Sequence, residues 1–274
     1  MNKNQWIAFG TAVVVILVIY LFGETRKPKS AAPAAPMAQD AAPAYDVKAY
    51  LQKVNAQLDK DTAALVAQLE AKPESWGQLA AIYRRKGESV AEAYYLSQYA
   101  AATHQLSDLN RAADLFSATA GLSENPALTT YLKQQALATY RQVVALDSSA
   151  DNRIKLATAY LDEGSEPMQG VGMLLAIVRA DSNNADAQLM LGKFGLVSRQ
   201  YEKAVTRLEK VVYLRPRNPD ALFLLANAYE GAGRPDKAIQ ALDQCLKLVG
   251  KPELKKEIEA YKAQIKAKGG NAPS

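Results

Sequence analysis

Between Leu224 and Leu242 the chain reads "LLANAYEGAGRPDKAIQAL". A Gly-x-Gly stands between two apolar stretches, so the segment is either a glycine loop that cradles a phosphate or a tight turn between two helices. The first leads to a nucleotide enzyme, the second to a scaffold. Stepping backwards by 34 residues separates them. Ala238, Leu242 and Cys245 are matched by Ala204, Leu208 and Val211, then by Gly170, Leu174 and Ile177, then by Ala136, Tyr140 and Val143. Each triple sets a small, a large and a medium apolar residue at i, i+4 and i+7, which is one face of a helix. The preceding segment repeats too. Leu225-Ala226 with Tyr229 corresponds to Leu191-Gly192 with Gly195, to Leu156-Ala157 with Tyr160, and upstream to Trp76, Leu79-Ala80 and Tyr83.

This arrangement resembles the tetratricopeptide repeat, a helix–turn–helix unit with W-x2-L-G-x2-Y, then A-x3-F, then a proline, whose place Pro216 fills. The resemblance implies an all-α fold, a right-handed α-solenoid of about four to five helix pairs over residues 73–250. It is clearest from Ala136 onward, and an irregular or enlarged repeat is expected between Glu88 and Asn125. Ser148 and Ser182 replace the family proline and Gly195 the tyrosine, so those copies are expected to pack loosely. Gly231 and Gly233 then end one helix and turn into the next, with Pro235 in its first turn. A dinucleotide fingerprint needs a preceding strand and a third glycine, where this chain has Asp236.

Both ends of the array carry amphipathic stretches. Leu254, Ile258, Tyr261 and Ile265 form a stripe backed by lysines, the capping helix that a solenoid needs, over 251–267. A short disordered tail is expected over 268–274. Val47, Leu51, Val54, Leu58, Leu65 and Leu69 mark one or two helices over 45–72. These either cap the other end or pair between chains as a homo-oligomer; Asp61 and Gln68 break the heptad and favour capping.

Ahead of the body, Trp6 to Phe22 reads "WIAFGTAVVVILVIYLF" without a charge, which fits one transmembrane helix within residues 1–23. Trp6 and Tyr20 stand where interfacial aromatics favour the headgroup region. "GETRKPK" follows in place of the small residues of a signal-peptide cleavage site, so an uncleaved anchor is expected. Residues 24–44 form a Pro/Ala linker; at roughly 3.1 Å per residue the stretch from Lys27 to Ala44 reaches about 55 Å. The expected location is a bacterial inner membrane, in one pass. Arg26, Lys27 and Lys29 lean the body towards the cytoplasm, and the side stays open.

The net charge of +5 invites a nucleic-acid reading that its distribution opposes. Lys3, Arg26, Lys27 and Lys29 against Glu24 leave an excess of three positive charges in residues 1–30, and seven Lys against three Glu leave four from Leu246 onward. The folded body between is therefore slightly acidic, whereas a nucleic-acid module carries its basic stripe there. One cysteine and one histidine exclude an intrachain disulfide and a His/Cys metal site, and no acidic run has EF-hand spacing. No metal and no cofactor is expected.

Every candidate for chemistry has a structural explanation. Cys245 holds a core position, His104 stands near a helix end, and Tyr94, Tyr95 and Tyr99 read as core and rim. "RRK", Arg84 to Lys86, ends a helix where cations favour the dipole, with a partner-binding patch as its rival. The chain is not expected to be an enzyme. In the family the first helix of each pair lines a concave, partner-binding surface, which maps here onto Asp151, Ile154 and Thr158, then Asp186, Leu189 and Lys193, then Asp220, Phe223, Asn227 and Glu230. A basic carboxylate clamp is not supported, because Phe223, Leu189 and Ile154 take its places. An apolar strip flanked by acidic residues suits an amphipathic helix or a basic extended segment. The expectation is an anchored, non-catalytic adaptor for protein partners, similar to bacterial tetratricopeptide proteins that assist secretion, envelope assembly or cofactor-protein maturation. The alternative is a permanent structural subunit of a larger membrane or envelope complex.

Overall fold

The computed structural model describes residues 45–270, whose regular structure is all helical, with no strand among them. The expected anchor and linker lie outside them. No helix among the described residues is long and apolar enough to cross a membrane. In chain order the helices are α1 (Val47–Asn55), α2 (Lys60–Glu70), α3 (Trp76–Lys86), α4 (Ser89–Thr103), α5 (Leu106–Leu122), α6 (Pro126–Leu146) and α7 (Ala150–Glu163). There follow α8 (Pro167–Ala180), α9 (Ala185–Val197), α10 (Tyr201–Leu214), α11 (Pro219–Gly231), α12 (Pro235–Leu248) and α13 (Pro252–Gly270).

Local chemistry sets the helix boundaries. Asp46, Asp59, Asn125, Asn184 and Asn218 each accept a hydrogen bond from a backbone N–H two or three residues on. Each thereby satisfies a donor left open at a helix start. Pro126, Pro167, Pro219 and Pro235 occupy first turns, where no N–H is needed. Between α11 and α12, Gly233 adopts φ 71°, and the Arg234 N–H reaches back to the Tyr229 carbonyl at 2.8 Å. The Gly-x-Gly is a helix-to-helix turn.

The pairs are α3/α4, α5/α6, α7/α8, α9/α10 and α11/α12, with α5/α6 the longest at 17 and 21 residues. Helices pack chiefly on their neighbours in sequence, while α7, α9 and α11 also touch in succession. Such local contacts characterise a stack of helix pairs. All members of the four repeat triples are buried, with Leu174, Leu208 and Leu242 fully so. Instead of one central core, linked apolar clusters run along the array.

The loose packing expected around Gly195 is not what the structure shows. A Cβ on Gly195 would stand 3.0 Å from that of Ala204, and one on Gly192 would stand 2.7 Å from Leu208 Cγ. With no side chain at either position, α10 seats directly against α9, and the missing tyrosine leaves no hole. At the ends, Ile258 and Ile265 of α13 join the core of α10–α12, while Leu254 stays 41% exposed. Leu51, Val54, Val66 and Leu69 of α1 and α2 are buried in one cluster with residues of α3 and α4. The apolar face considered for pairing between chains is thus covered within the chain, apart from the exposed Leu65.

Polar ties join the helices. Phenol groups donate to carboxylates in Tyr50–Glu88 (3.0 Å), Tyr95–Glu70 (2.5 Å), Tyr140–Asp114 (2.6 Å), Tyr229–Glu209 (2.6 Å) and Tyr261–Glu230 (2.5 Å). Glu92 is buried on α4 and receives Arg84 of α3 at 2.8 Å and Arg111 of α5 at 2.7 Å.

Two predictions follow from this packing. A Cβ on Gly170 would meet the Ala157 carbonyl oxygen at 2.5 Å, a backbone atom with no room to retreat. Gly170→Ala should therefore destabilise the chain by about 1–3 kcal/mol. Gly172, two residues on in the same helix, has open space around it, and Gly172→Ala should stabilise by about 0.5–1 kcal/mol. Opposite shifts in the urea midpoint check the pair.

The second prediction concerns alkaline pH. Burial raises Tyr83, Tyr131 and Tyr229 to about 12, and it raises Tyr95 and Tyr140 further, helped by their carboxylate partners. A phenol raised above its unfolded value near 10 contributes stability that is complete below pH 10 and is lost as pH climbs through the folded value. The urea midpoint should accordingly hold from pH 7 to 9 and fall between pH 10 and 12. The 295 nm absorbance should show these five tyrosines ionising later than the tyrosines of the chain unfolded in urea.

Candidate functional site

The first helices of the last two pairs, α9 and α11, together with α13, form a surface that gathers five of the ten expected binding residues. Lys193, Asp220 and Phe223 line one depression of about 320 Å³, whose remaining walls include Cys245 of α12, Val249 just after it, and Leu254 and Ile258 of α13. Asn227 and Glu230 line a second, more open depression of about 500 Å³ with Leu196, Tyr201 and Tyr261. The rings of Phe223 and Tyr261 lie 5.7 Å apart. Positions 220, 223, 227 and 230 share one face of α11 by helical spacing, and Pro219, Leu224 and Gly231 of the same helix border the depressions beside them.

The other expected residues have different surroundings. Ile154 is 9% exposed in the cluster that joins α7 to α9, so its side chain presents little to a partner. The Thr158 hydroxyl donates to the Ile154 carbonyl at 2.9 Å. Leu189 is half-buried against the core of α10–α12. Asp151, Asp186 and Asp220 all occupy first turns, where a carboxylate is favoured by the helix's positive pole. Asp186 also accepts both Arg215 guanidinium donors at 2.7 Å, which holds its carboxyl below the usual range. Glu230 accepts from Lys268 and Tyr261 and is lowered likewise. Asp151, Ile154, Thr158, Asp186 and Leu189 line neither depression.

Sequence reasoning missed two contributors. One is α13, read only as a cap, which supplies Leu254, Ile258 and Tyr261. The other is a notch of about 270 Å³ between α5, α6 and α7, lined by Ser117, Ala120, Gly121, Lys133, Ala136, Ala159 and Asp162. Burial raises the Asp162 carboxyl against the pull of Lys133 and Lys193. The signal for the notch was the convergence of small residues on three helices, visible only once the enlarged pair is placed.

The residues set aside as chemically inert have plain structural roles. His104 closes α4 with φ 53°. Tyr95 stacks on Tyr83 at 5.4 Å between ring centroids and meets Trp76 and Tyr94 edge-on. The Tyr99 ring covers Gly77. Within "RRK", Arg84 is held by Glu92 and Lys86 by Asp59. Among the described residues no group of three His, Cys, Asp or Glu side chains could hold a metal ion. The buried Cys245 thiol donates to the Pro219 carbonyl at 3.3 Å, and burial pushes its pKa up, with Asp220 adding to the effect. It should react with a thiol reagent at pH 8 at least about a hundredfold more slowly in the folded chain than in urea. Comparable rates in both would show an open, reactive thiol.

No curated protein sequence matches the chain. Two solved structures described as "Crystal structure of MamA protein" and "Crystal structure of MamA" are similar to it. They share 20% and 21% identity, with TM-scores of 0.49 and 0.48. The first match covers 64% of this chain and 91% of that one, the second 68% and 97%. Residues 196–256, from the end of α9 to the start of α13, match the family model for the tetratricopeptide repeat.

Proposed function

We propose that this chain is a membrane-anchored, non-catalytic adaptor whose repeat array, over residues 73–250, holds a segment of a partner protein on the face built by α9, α11 and α13. The anchor is residues 6–22, and the membrane is a bacterial inner membrane. The observation that carries the reading is the apolar depression around Phe223, where Leu254 remains 41% exposed beside Val249 and Ile258. Apolar surface left open in a groove with a few polar groups on its rim suits the apolar face of an amphipathic helix. A basic extended segment suits it less, because Asp186 and Glu230 already have cationic partners. Asn227 and Glu230 extend the same face along α11.

The reading of a permanent subunit draws on a different surface. Leu122, Met168 and Val197 are 85%, 67% and 84% exposed. They stand at the turns joining α5 to α6, α7 to α8 and α9 to α10, along one edge of successive pairs. A permanently covered edge would carry such residues.

Photo-crosslinking side chains placed singly at Leu254, Asp220 and Val197 of the full chain, in the cells that make it, separate the two. The adaptor predicts one shared adduct from positions 254 and 220, lost with Phe223→Ala, and none from position 197. An adduct from position 197 alone would instead favour the fixed subunit.

A further inference from the structure

The chemistry of the Phe223 depression specifies more of its occupant than a general apolar face, and this step rests on the adaptor reading. The two ionic groups on its rim are unequal. Asp220 lies in the first turn of α11, where the helix start offsets part of its charge. Lys193 lies in the second half of α9, away from either pole, and it is exposed. Among the described residues it forms no ion pair, although it is near enough to Asp162 to favour that carboxylate. Asp186, the acidic group on α9, is engaged by Arg215 through two hydrogen bonds. Lys193 is therefore the rim charge that neither a helix end nor a salt bridge holds, and the one left for a partner's group. The pocket beneath is apolar and about 320 Å³, at the small end of ligand sites, with room for one or two large side chains.

We propose that this depression selects a helical partner segment that inserts a large apolar side chain between Phe223, Val249 and Leu254 and presents a carboxylate about one turn away to the Lys193 ammonium. The sign of this charge is opposite to the one that the acidic residues of the strip suggest in the sequence. Those acids serve their own helix starts and ion pairs, whereas Lys193 has neither. The apolar insertion supplies most of the affinity, and the ion pair sets orientation and preference.

The test uses the full chain in mild detergent and three fluorescein-labelled, alanine-based helical peptides of about 15 residues. The first carries a Phe/Leu pair one turn apart and a Glu one turn beyond. The second replaces the apolar pair by Ala, and the third replaces the Glu by Lys. The expected order by fluorescence anisotropy is first, then third weaker by about fivefold, then second weaker by at least about tenfold. Lys193→Glu, a surface change, should reverse the preference between first and third. Leu254→Lys should abolish binding of the first. Equal binding of first and third, unchanged in Lys193→Glu, would overturn the proposal while leaving the adaptor reading to the crosslinking result. A peptide-free dimer that Leu254→Lys dissolves would also overturn it, by assigning the groove to a second copy. Binding of the first peptide that survives Leu254→Lys would place the site elsewhere and overturn it as well.

Discussion

The array depends on how closely the two helices of a pair approach each other. Backbone meets side chain with almost no room at Gly170, where an added Cβ would fall 2.5 Å from the Ala157 carbonyl, and at Gly192 beside Leu208. Ala204, Ala226 and Ala238 stand at equivalent crossings with no exposed surface. A small residue is required there because any larger one would push the axes apart and open the interior. The large residues one turn on, Leu174, Leu208 and Leu242, then fill the space beside the crossing completely. The period of 34 residues reflects one such crossing per pair.

Close crossings leave the rims of each pair to be tied by other means, and this chain uses phenol–carboxylate and guanidinium–carboxylate bonds. Glu92 shows the logic most clearly. A carboxylate that is 5% exposed would be costly alone, but two arginines from the flanking helices meet it at 2.7 and 2.8 Å. Tyr95, Tyr140 and Tyr229 bring mostly apolar rings into the core and hand their hydroxyls to Glu70, Asp114 and Glu209. Many of the charges are thereby engaged inside the array. Arg84, Lys86, Asp186 and Glu230 all look available in the sequence, and all have partners in the fold.

This explains what could be read in advance. Helix positions and the Gly-x-Gly turn were legible because they follow from local rules: apolar period, capping side chains and proline in first turns. The convergence of Lys193, Asp220 and Phe223 was legible because register along α9 and α11 fixes which residues share a face. The depth of Ile154 was not legible, for the opposite reason. Register alone does not tell how deeply α7 settles against α9, and its side chain sinks into their shared cluster. The tightness at Gly195 was misjudged because a missing tyrosine reads as a gap, whereas a helix free to move closes it.

The place of the apolar depression follows from the end of the repeat. Within the array, the first helix of the next pair covers the apolar surface of the pair before it, as α9 and α11 do in succession. After α12 the described residues hold one more helix, α13, which has to cover the apolar surface of α12 without a partner helix of its own. α13 meets this demand with Ile258 and Ile265 buried, Tyr261 bonded to Glu230 and Lys262 paired with Asp243. Its first turns carry Leu254 and little else that is large and apolar, so the surface around Phe223 and Val249 is only partly closed. A terminal helix amphipathic enough to cap the stack yet sparse at its start leaves a groove, and the helix that ends the array becomes one wall of its binding face.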